Sequence, residues 1–464
     1  MERGLQPPSQ PCPNCAQLER RVAEHDAELK KLRALLEESR RGNKRQAAPF
    51  SKGPPKTDPK TPGRKAGENY GTKAHRPPPA EVDETHEATL PCSCPECGGA
   101  VELDGVEEQF QTEMPRKPIR RKFNVGVGRC QKCGRRVQGR HPLQTSDALG
   151  AAASQLGPDA QAVAVHLNKD LGLSHGKVAR FFSEICGIPL SRGGSAQVML
   201  RAADRVDGPY RRVLVEVRES GENNVDETGW KVGGLLQWLW GFVTRTAVAY
   251  VIRPSRGFDV PAEILGADYA GLLVHDGWGP YDGFKKARHQ QCLFHFLVRC
   301  RELLETARGA AVLFPRAIKA LLLDSIDLRD RRDDGKVSPH GLSVAHGRLQ
   351  ARLDRLVTPV KSNPDNERFA KHLEKHADEV FTFLRNPAIE PTNRLGEQAM
   401  RPAVVNRKVW GGNRTQAGAD AQGRLLTVFQ TCAKRAVDAV NYLSRALRAP
   451  PDAVPAIPAM ASST

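Results

Sequence analysis

The sequence predicts a multidomain α+β protein built around a mixed β-sheet flanked by helices. Three observations predict it. A chain of 464 residues exceeds what one hydrophobic core organises, so several domains are expected. Strand-like runs gather between about 222 and 276, with helical spacing on either side. The N-terminal third changes composition in blocks, from leucine-spaced to basic and Pro-rich to cysteine-paired.

Bulk properties narrow the class. Hydrophobic residues make up 39% and the mean hydropathy is −0.50. No apolar run reaches the ~18 residues of a membrane span. The opening MERGLQPPSQPCPNC has no apolar signal-peptide core, so a cytoplasmic chain is expected. A net charge of +17 favours a polyanionic partner, nucleic acid above all.

The elements follow in order. Leu18, Val22, His25, Leu29, Leu32 and Leu36 alternate in steps of four and three, a heptad seam that predicts a coiled coil over 12–40 and self-association. Residues 41–88 are rich in Lys, Arg, Pro and Gly with few core formers, and predict a basic disordered linker. Eleven cysteines include three C-x-x-C pairs: the isolated Cys12/Cys15, which cannot complete a site alone, and Cys94/Cys97 and Cys130/Cys133. In a chain without an export signal such pairs read as metal ligands, here the four thiolates of one structural Zn²⁺ in a domain over 89–145. Cys92 is a spare that could replace Cys94. Residues 150–215 read as a helical domain resembling a helix-turn-helix, a DNA-binding form. The segments ENNVDETGWKV, LQWLWGFVTR and AVAYVIR read as strands, followed by a helix near 258–265 and the buried strand LLVH. These make the first part of the core, 216–300. Residues 301–385 are apolar at helical spacing and predict an inserted helical subdomain; 386–445 returns to the core, and 446–464 forms a disordered tail.

Three acids stand in distinctive contexts: Asp226 in VDETGW, Asp276 in LLVHDGWG and Glu397 in TNRLGEQAMRP. They lie 50 and 121 residues apart, so only a fold can unite them. Converged carboxylates repel unless cations lie between them, and a pair of Mg²⁺ ions serving phosphodiester chemistry is the usual solution. Each acid also has a plainer reading. Asp226 could cap a turn before Gly229, Asp276 could brace the HDGWG turn, and Glu397 could pair with Arg401. Asp226 and Glu227 are adjacent on a strand, so only one of them faces any site.

The blocks VDETGWKVGG…WLWGFVT, LLVHDGWGPYDGF, HQQCLFHFLVR and TNRLGEQAMRPAVVNRKVWGG resemble the catalytic blocks of the insertion-sequence-66 transposase family. The N-terminal order of zipper-like helix, basic linker and four-cysteine segment also resembles that family. The resemblance implies a DDE transposase of bacterial insertion sequences with an RNase H-like core. Asp226, Asp276 and Glu397 would hold two Mg²⁺, with Mn²⁺ an accepted substitute, beside the one structural Zn²⁺. Strand hydrolysis at the element ends would be followed by attack of the freed 3′-hydroxyl on target DNA. The implied partners are terminal inverted repeats, target DNA, a second copy of the chain and accessory proteins of the same element, in the bacterial nucleoid. Cys292 and His295 form a C-x-x-H pair expected to support the site. Arg401, Arg407, Lys408, Trp410 and Arg414 suit a DNA-binding surface, with Trp410 as a stacking residue. Two positions depart from the family pattern. Asn393-Arg394 stands where paired asparagines are usual, and Gly396 stands where alanine is commoner, at a cost of up to ~1 kcal/mol of helix stability. Alternatives are a catalytically inactive DNA-binding derivative or an RNase H-like nuclease.

Overall fold

The computed structural model describes residues 13–43, 78–89, 91–112, 114, 117–150 and 154–460. Two compact units divide the chain, residues 1–115 and 116–464. In the first, α1 spans Pro13–Asn43, and Leu18, Val22, Leu29 and Leu32 of the expected seam are exposed on it. Most of the expected basic linker, residues 44–77, lies outside the described residues. Cys94 opens a tight knuckle. Its N–H donates to the Gly99 carbonyl at 2.8 Å, and the Gly98 N–H returns to the Cys94 carbonyl at 2.9 Å.

The second unit begins with the same device. Cys130 donates to Arg135 and accepts from Gly134, both at 2.8 Å, between the antiparallel strands β1 (Val127–Arg129) and β2 (Arg136–Gln138). Gly98 and Gly134 share a φ of +71°, the left-handed turn that each knuckle requires.

Four helices follow: α2 (Pro158–Lys169), α3 (His175–Arg180), α4 (Arg192–Arg205) and α5 (Asp207–Glu219). Ser174 and Ser191 cap α3 and α4 by accepting from Lys177 and Gly194 N–H groups.

The sheet contains β3 (Glu222–Val232), β4 (Leu235–Val243), β5 (Val248–Arg253), β6 (Leu272–His275) and β7 (Arg288–Gln291). Their spatial order is β5-β4-β3-β6-β7. Short turns make β3, β4 and β5 antiparallel, whereas β6 and β7 run parallel to β3. A parallel return needs a crossover. The one into β6 carries α6 (Asp259–Leu265).

Period-two alternation sorts the strand side chains between two faces. Val225, Trp240, Phe242 and Leu273 join the core shared with α2, α4, α5 and α6. Trp230, Val232, Leu239 and Tyr250 face the opposite way. There they meet Ala399, Met400 and Ala403 of α13 (Arg394–Trp410) and Ala419 and Leu426 of α14 (Gln416–Lys434). Between β7 and α13 lies the expected helical insertion: α7 (Leu293–Thr306), α8 (Leu313–Asp333), α9 (Pro339–Val357), α10 (Pro364–Lys375), α11 (Ala377–Val380) and α12 (Thr382–Arg385). Its core is continuous with Leu272 and Val274 of β6. The last helix, α15 (Ala439–Arg448), packs on the α2 side.

The strand β7 was not signalled in the sequence, because RHQQ is polar. Its buried Gln290 donates to the Val380 carbonyl at 3.1 Å and accepts from the Phe383 N–H at 2.9 Å. The insertion thus satisfies amide groups that would be costly to bury alone.

Gly423 in α14 gives a sharp test of this packing. A Cβ there would lie 2.9 Å from the Tyr250 carbonyl oxygen, a backbone atom of β5. In an open helix Gly→Ala stabilises by about 1 kcal/mol. Here Gly423→Ala is expected to destabilise by about 1–3 kcal/mol, as overpacking does. Denaturant unfolding of the two proteins checks the sign.

Candidate active site

Asp226 lies near the middle of the central strand β3 and shares the α13 face with Trp230 and Val232. Glu227 points to the other face, where it is committed to a buried ion pair. Arg256 donates from Nε and Nη2 to its Oε1 at 3.0 and 2.8 Å, and the Tyr281 hydroxyl donates to its Oε2 at 2.7 Å. Of the two adjacent acids, Asp226 is therefore the one on the α13 face.

Asp276 follows the last residue of β6, the parallel neighbour of β3. Its Oδ1 accepts the Trp278 N–H at 2.9 Å, so Asp276 both braces its turn and presents a carboxylate. Behind it, His275 is fully buried. Its Nδ1 accepts the Gly277 N–H at 3.1 Å, and its Nε2 meets Nδ1 of His289 at 3.0 Å. Burial holds the His275 pKa well below the usual imidazole value. The neutral ring can therefore accept from Gly277 and fix the loop that carries Asp276.

Glu397 lies in the first turn of α13. One residue positions that turn. The Asn393 side chain donates to the Val225 carbonyl at 2.8 Å and accepts from the Asn224 amide at 3.0 Å. Its backbone N–H donates to Cys292 Sγ at 3.1 Å, and its carbonyl accepts the Glu397 N–H at 3.0 Å. Asn393 therefore joins β3, the start of α7 and the third acid. Gly396 explains itself here. A Cβ would fall 2.7 Å from Asn393 Oδ1 and 2.9 Å from Nδ2, atoms already held in place. The residue that weakens the helix in isolation makes room for the side chain that anchors it.

The three acids feel one another. Asp226 is pushed up to about 8, first by burial, then by the charges of Glu227, Asp276 and, more weakly, Glu397. The Glu227 backbone N–H, 3.0 Å from Asp226 Oδ1, offsets part of this. Divalent cations fit such a donor set, because they would offset the burial and the repulsion that raise Asp226. Asp226, Asp276 and Glu397 are the residues that could hold them.

Cys292 and His295 sit at the start of α7, and their ligand atoms lie with that of Glu397 within 4.8 Å of one another. Among the described residues this is the one such trio. The expected zinc cysteines form two matching knuckles, but Cys94 and Cys97 belong to the first unit and Cys130 and Cys133 to the second. Backbone and side-chain hydrogen bonds within each knuckle lower the Cys94 and Cys130 thiol pKa.

The basic set around α13 divides. Arg401, Lys408 and Arg414 are exposed. Arg407 turns inward and donates to Thr228 Oγ1 at 3.0 Å and to the Gly229 carbonyl of β3. Trp410 packs edge-on against Trp230 with ring centroids 5.8 Å apart, and the Lys169 ammonium lies 5.5 Å from its ring centre. The ring expected to stack on bases is thus used inside the protein. Sequence reasoning passed over a better placed aromatic. Trp278, 40% exposed and two residues after Asp276, stacks one face on the Arg256 guanidinium at 4.0 Å. Trp238 covers the same guanidinium at 4.6 Å. The signal available was the tryptophan in DGWG itself.

Comparison with known proteins follows this geometry. The sequence profile described as "Transposase IS66 family" matches residues 153–421, more than half of the chain, from just before α2 through α13 into α14. The chain belongs to the IS66 transposase family. Two curated relatives come from Sinorhizobium fredii (strain NBRC 101917 / NGR234). Uncharacterized protein y4qI is 24% identical over 236 residues, covering 45% of this chain and 43% of that protein. Uncharacterized protein y4jO is 29% identical over 105 residues, covering 23% and 32%. The chain therefore spans less than half the length of these relatives. Among the described residues no helix is long and apolar enough to cross a membrane.

Two predictions follow from the site. Asp226 gains a proton on folding between its usual 3.8 and about 8. The stability this confers is complete below the unfolded value and is lost as pH rises through the folded one. In chelator, the thermal midpoint is expected to fall from about pH 4 to about pH 8, and Asp226→Asn to flatten that fall. Separately, Gly396→Ala should destabilise the native chain but cost nothing further in an Asn393→Ala background. A double-mutant cycle on unfolding midpoints reads this coupling.

Proposed function

We propose that this chain is a DNA strand-transfer enzyme that cuts at the ends of its own element and joins them to target DNA. The observation that carries the reading is the placement of Asp226 on β3, Asp276 at the end of the neighbouring strand β6 and Glu397 in the first turn of α13, which packs on β3, inside a segment matched by a transposase family. The core is read as RNase H-like. The strand order β5-β4-β3-β6-β7, with three antiparallel strands followed by two parallel ones, supports that reading.

The three carboxylates would hold two Mg²⁺ ions, which when bound make a water or a DNA 3′-hydroxyl nucleophilic and stabilise the leaving oxygen. The protein's own part is positional. The Glu227 and Trp278 N–H groups orient Asp226 and Asp276, and Asn393 sets the turn that carries Glu397. Exposed Arg401, Lys408 and Arg414 are proposed to track phosphates, which makes binding salt-dependent. Trp278 is proposed to stack on a base beside the scissile phosphate, whereas Arg407 and Trp410 brace β3 and α13. The α1 helix is proposed to pair two copies so that two ends are held together. Each cysteine knuckle is proposed as a Zn²⁺-binding pair, supported by the backbone turn it makes.

Strand transfer by the purified chain on oligonucleotides of the element's ends tests this reading. Wild type with Mg²⁺ or Mn²⁺ is expected to join ends to target, and Asp276→Asn to bind ends without joining them. Preferential cleavage of an RNA–DNA hybrid by the wild type would instead assign a nuclease. Trp278→Ala is expected to weaken end binding by about 1–3 kcal/mol, the range for one stacked base, with Trp278→Phe recovering part of it.

A further inference from the structure

We infer that Cys292, His295 and Glu397 form a second metal site, one for a thiophilic divalent cation of the Zn²⁺ class. The trio joins the first turn of α7 to the first turn of α13, with sulfur, imidazole nitrogen and carboxylate oxygen within 4.8 Å of one another. Three protein ligands of this mixed kind are a familiar set for tetrahedral Zn²⁺ and leave one position for water. Sulfur discriminates against Mg²⁺, which prefers oxygen, so the site differs in chemistry from the carboxylate cluster beside it.

Backbone donors surround Cys292 Sγ, although burial favours the neutral thiol. The Asn393 N–H points at Sγ from 3.1 Å, and the backbone N–H groups of Phe294 and His295 also favour the anion. Burial opposes them and keeps the proton on sulfur in the free protein. Binding would release that one proton to solvent as the metal–sulfur bond forms. A cysteine serving only as a buried helix cap would need neither the exposed imidazole nor the carboxylate at its side. Glu397 has two oxygens, so one can ligate this cation while the other faces Asp226 and Asp276. The metal would fix the third acid's side chain, as Asn393 fixes its backbone.

The test is ¹¹³Cd NMR of the full chain, stripped of metal and reloaded with ¹¹³Cd²⁺. A resonance typical of one thiolate with nitrogen and oxygen ligands is expected, separate from any thiolate-rich resonance of the cysteine knuckles. Cys292→Ser and His295→Ala should each remove it, and Glu397→Gln should weaken its affinity by at least the ~10–100-fold typical of losing an outer-shell partner. Asp226→Asn should leave it in place. His295 is exposed, so its loss removes a ligand without disturbing the core. Absence of the single-thiolate resonance in wild type, or its persistence in both Cys292→Ser and His295→Ala, would overturn the inference. The readout is metal binding alone, so its failure is distinct from failure of strand transfer.

Discussion

A carboxylate half-buried near other carboxylates is costly to keep anionic without a countercharge, and the architecture around β3 answers to that constraint. Asp226 is the acute case, since burial and the charges of Glu227, Asp276 and Glu397 push it up to about 8. Burial raises its neighbour Glu227 as well, but there the Tyr281 hydroxyl and the Arg256 guanidinium, which meet its two oxygens, oppose the shift. Two adjacent acids on one strand thus have different chemistry, set by which face each enters. One meets a guanidinium and a hydroxyl within the protein, and the other is proposed to meet bound cations.

That division also explains how the site is held. An acid cluster that awaits cations gives no cohesion of its own, so its geometry must come from uncharged contacts. Asn393 supplies them for Glu397, the His275–Gly277 pairing supplies them for Asp276, and the strand ladder supplies them for Asp226. Small residues on α13 let the helix approach the sheet, where Tyr250 donates to the Ala399 carbonyl at 2.6 Å. That bond falls beside Pro402, whose ring interrupts the helix's own ladder.

Much of this was legible in the sequence. The strands β3, β4, β5 and β6 announce themselves by apolar runs and turns, and the three acids by their contexts. Period two already required Asp226 and Glu227 to part, although it could not say which faced the cavity. Other features had no local signature. The strand β7 is polar because its glutamines bond to a subdomain 90 residues away. Arg256 and Tyr281 both meet Glu227, a contact no spacing rule anticipates. Gly396 looked like a weakness because helix propensity is a local quantity, and its reason is the Asn393 side chain packed against it. Trp410 looked like a stacking residue because a tryptophan among basic residues reads the same whether its ring faces outward or, as here, toward Trp230.

The central claim is that Asp226, Asp276 and Glu397 together hold divalent cations. Replacing Mg²⁺ with Fe²⁺ and generating hydroxyl radicals locally, then mapping the backbone cuts, tests it most directly. The account predicts cuts clustered around residues 226, 276 and 397 in the same molecules, all suppressed together by excess Mg²⁺. Cuts confined to one of these segments, or cuts that Mg²⁺ does not suppress, would contradict it.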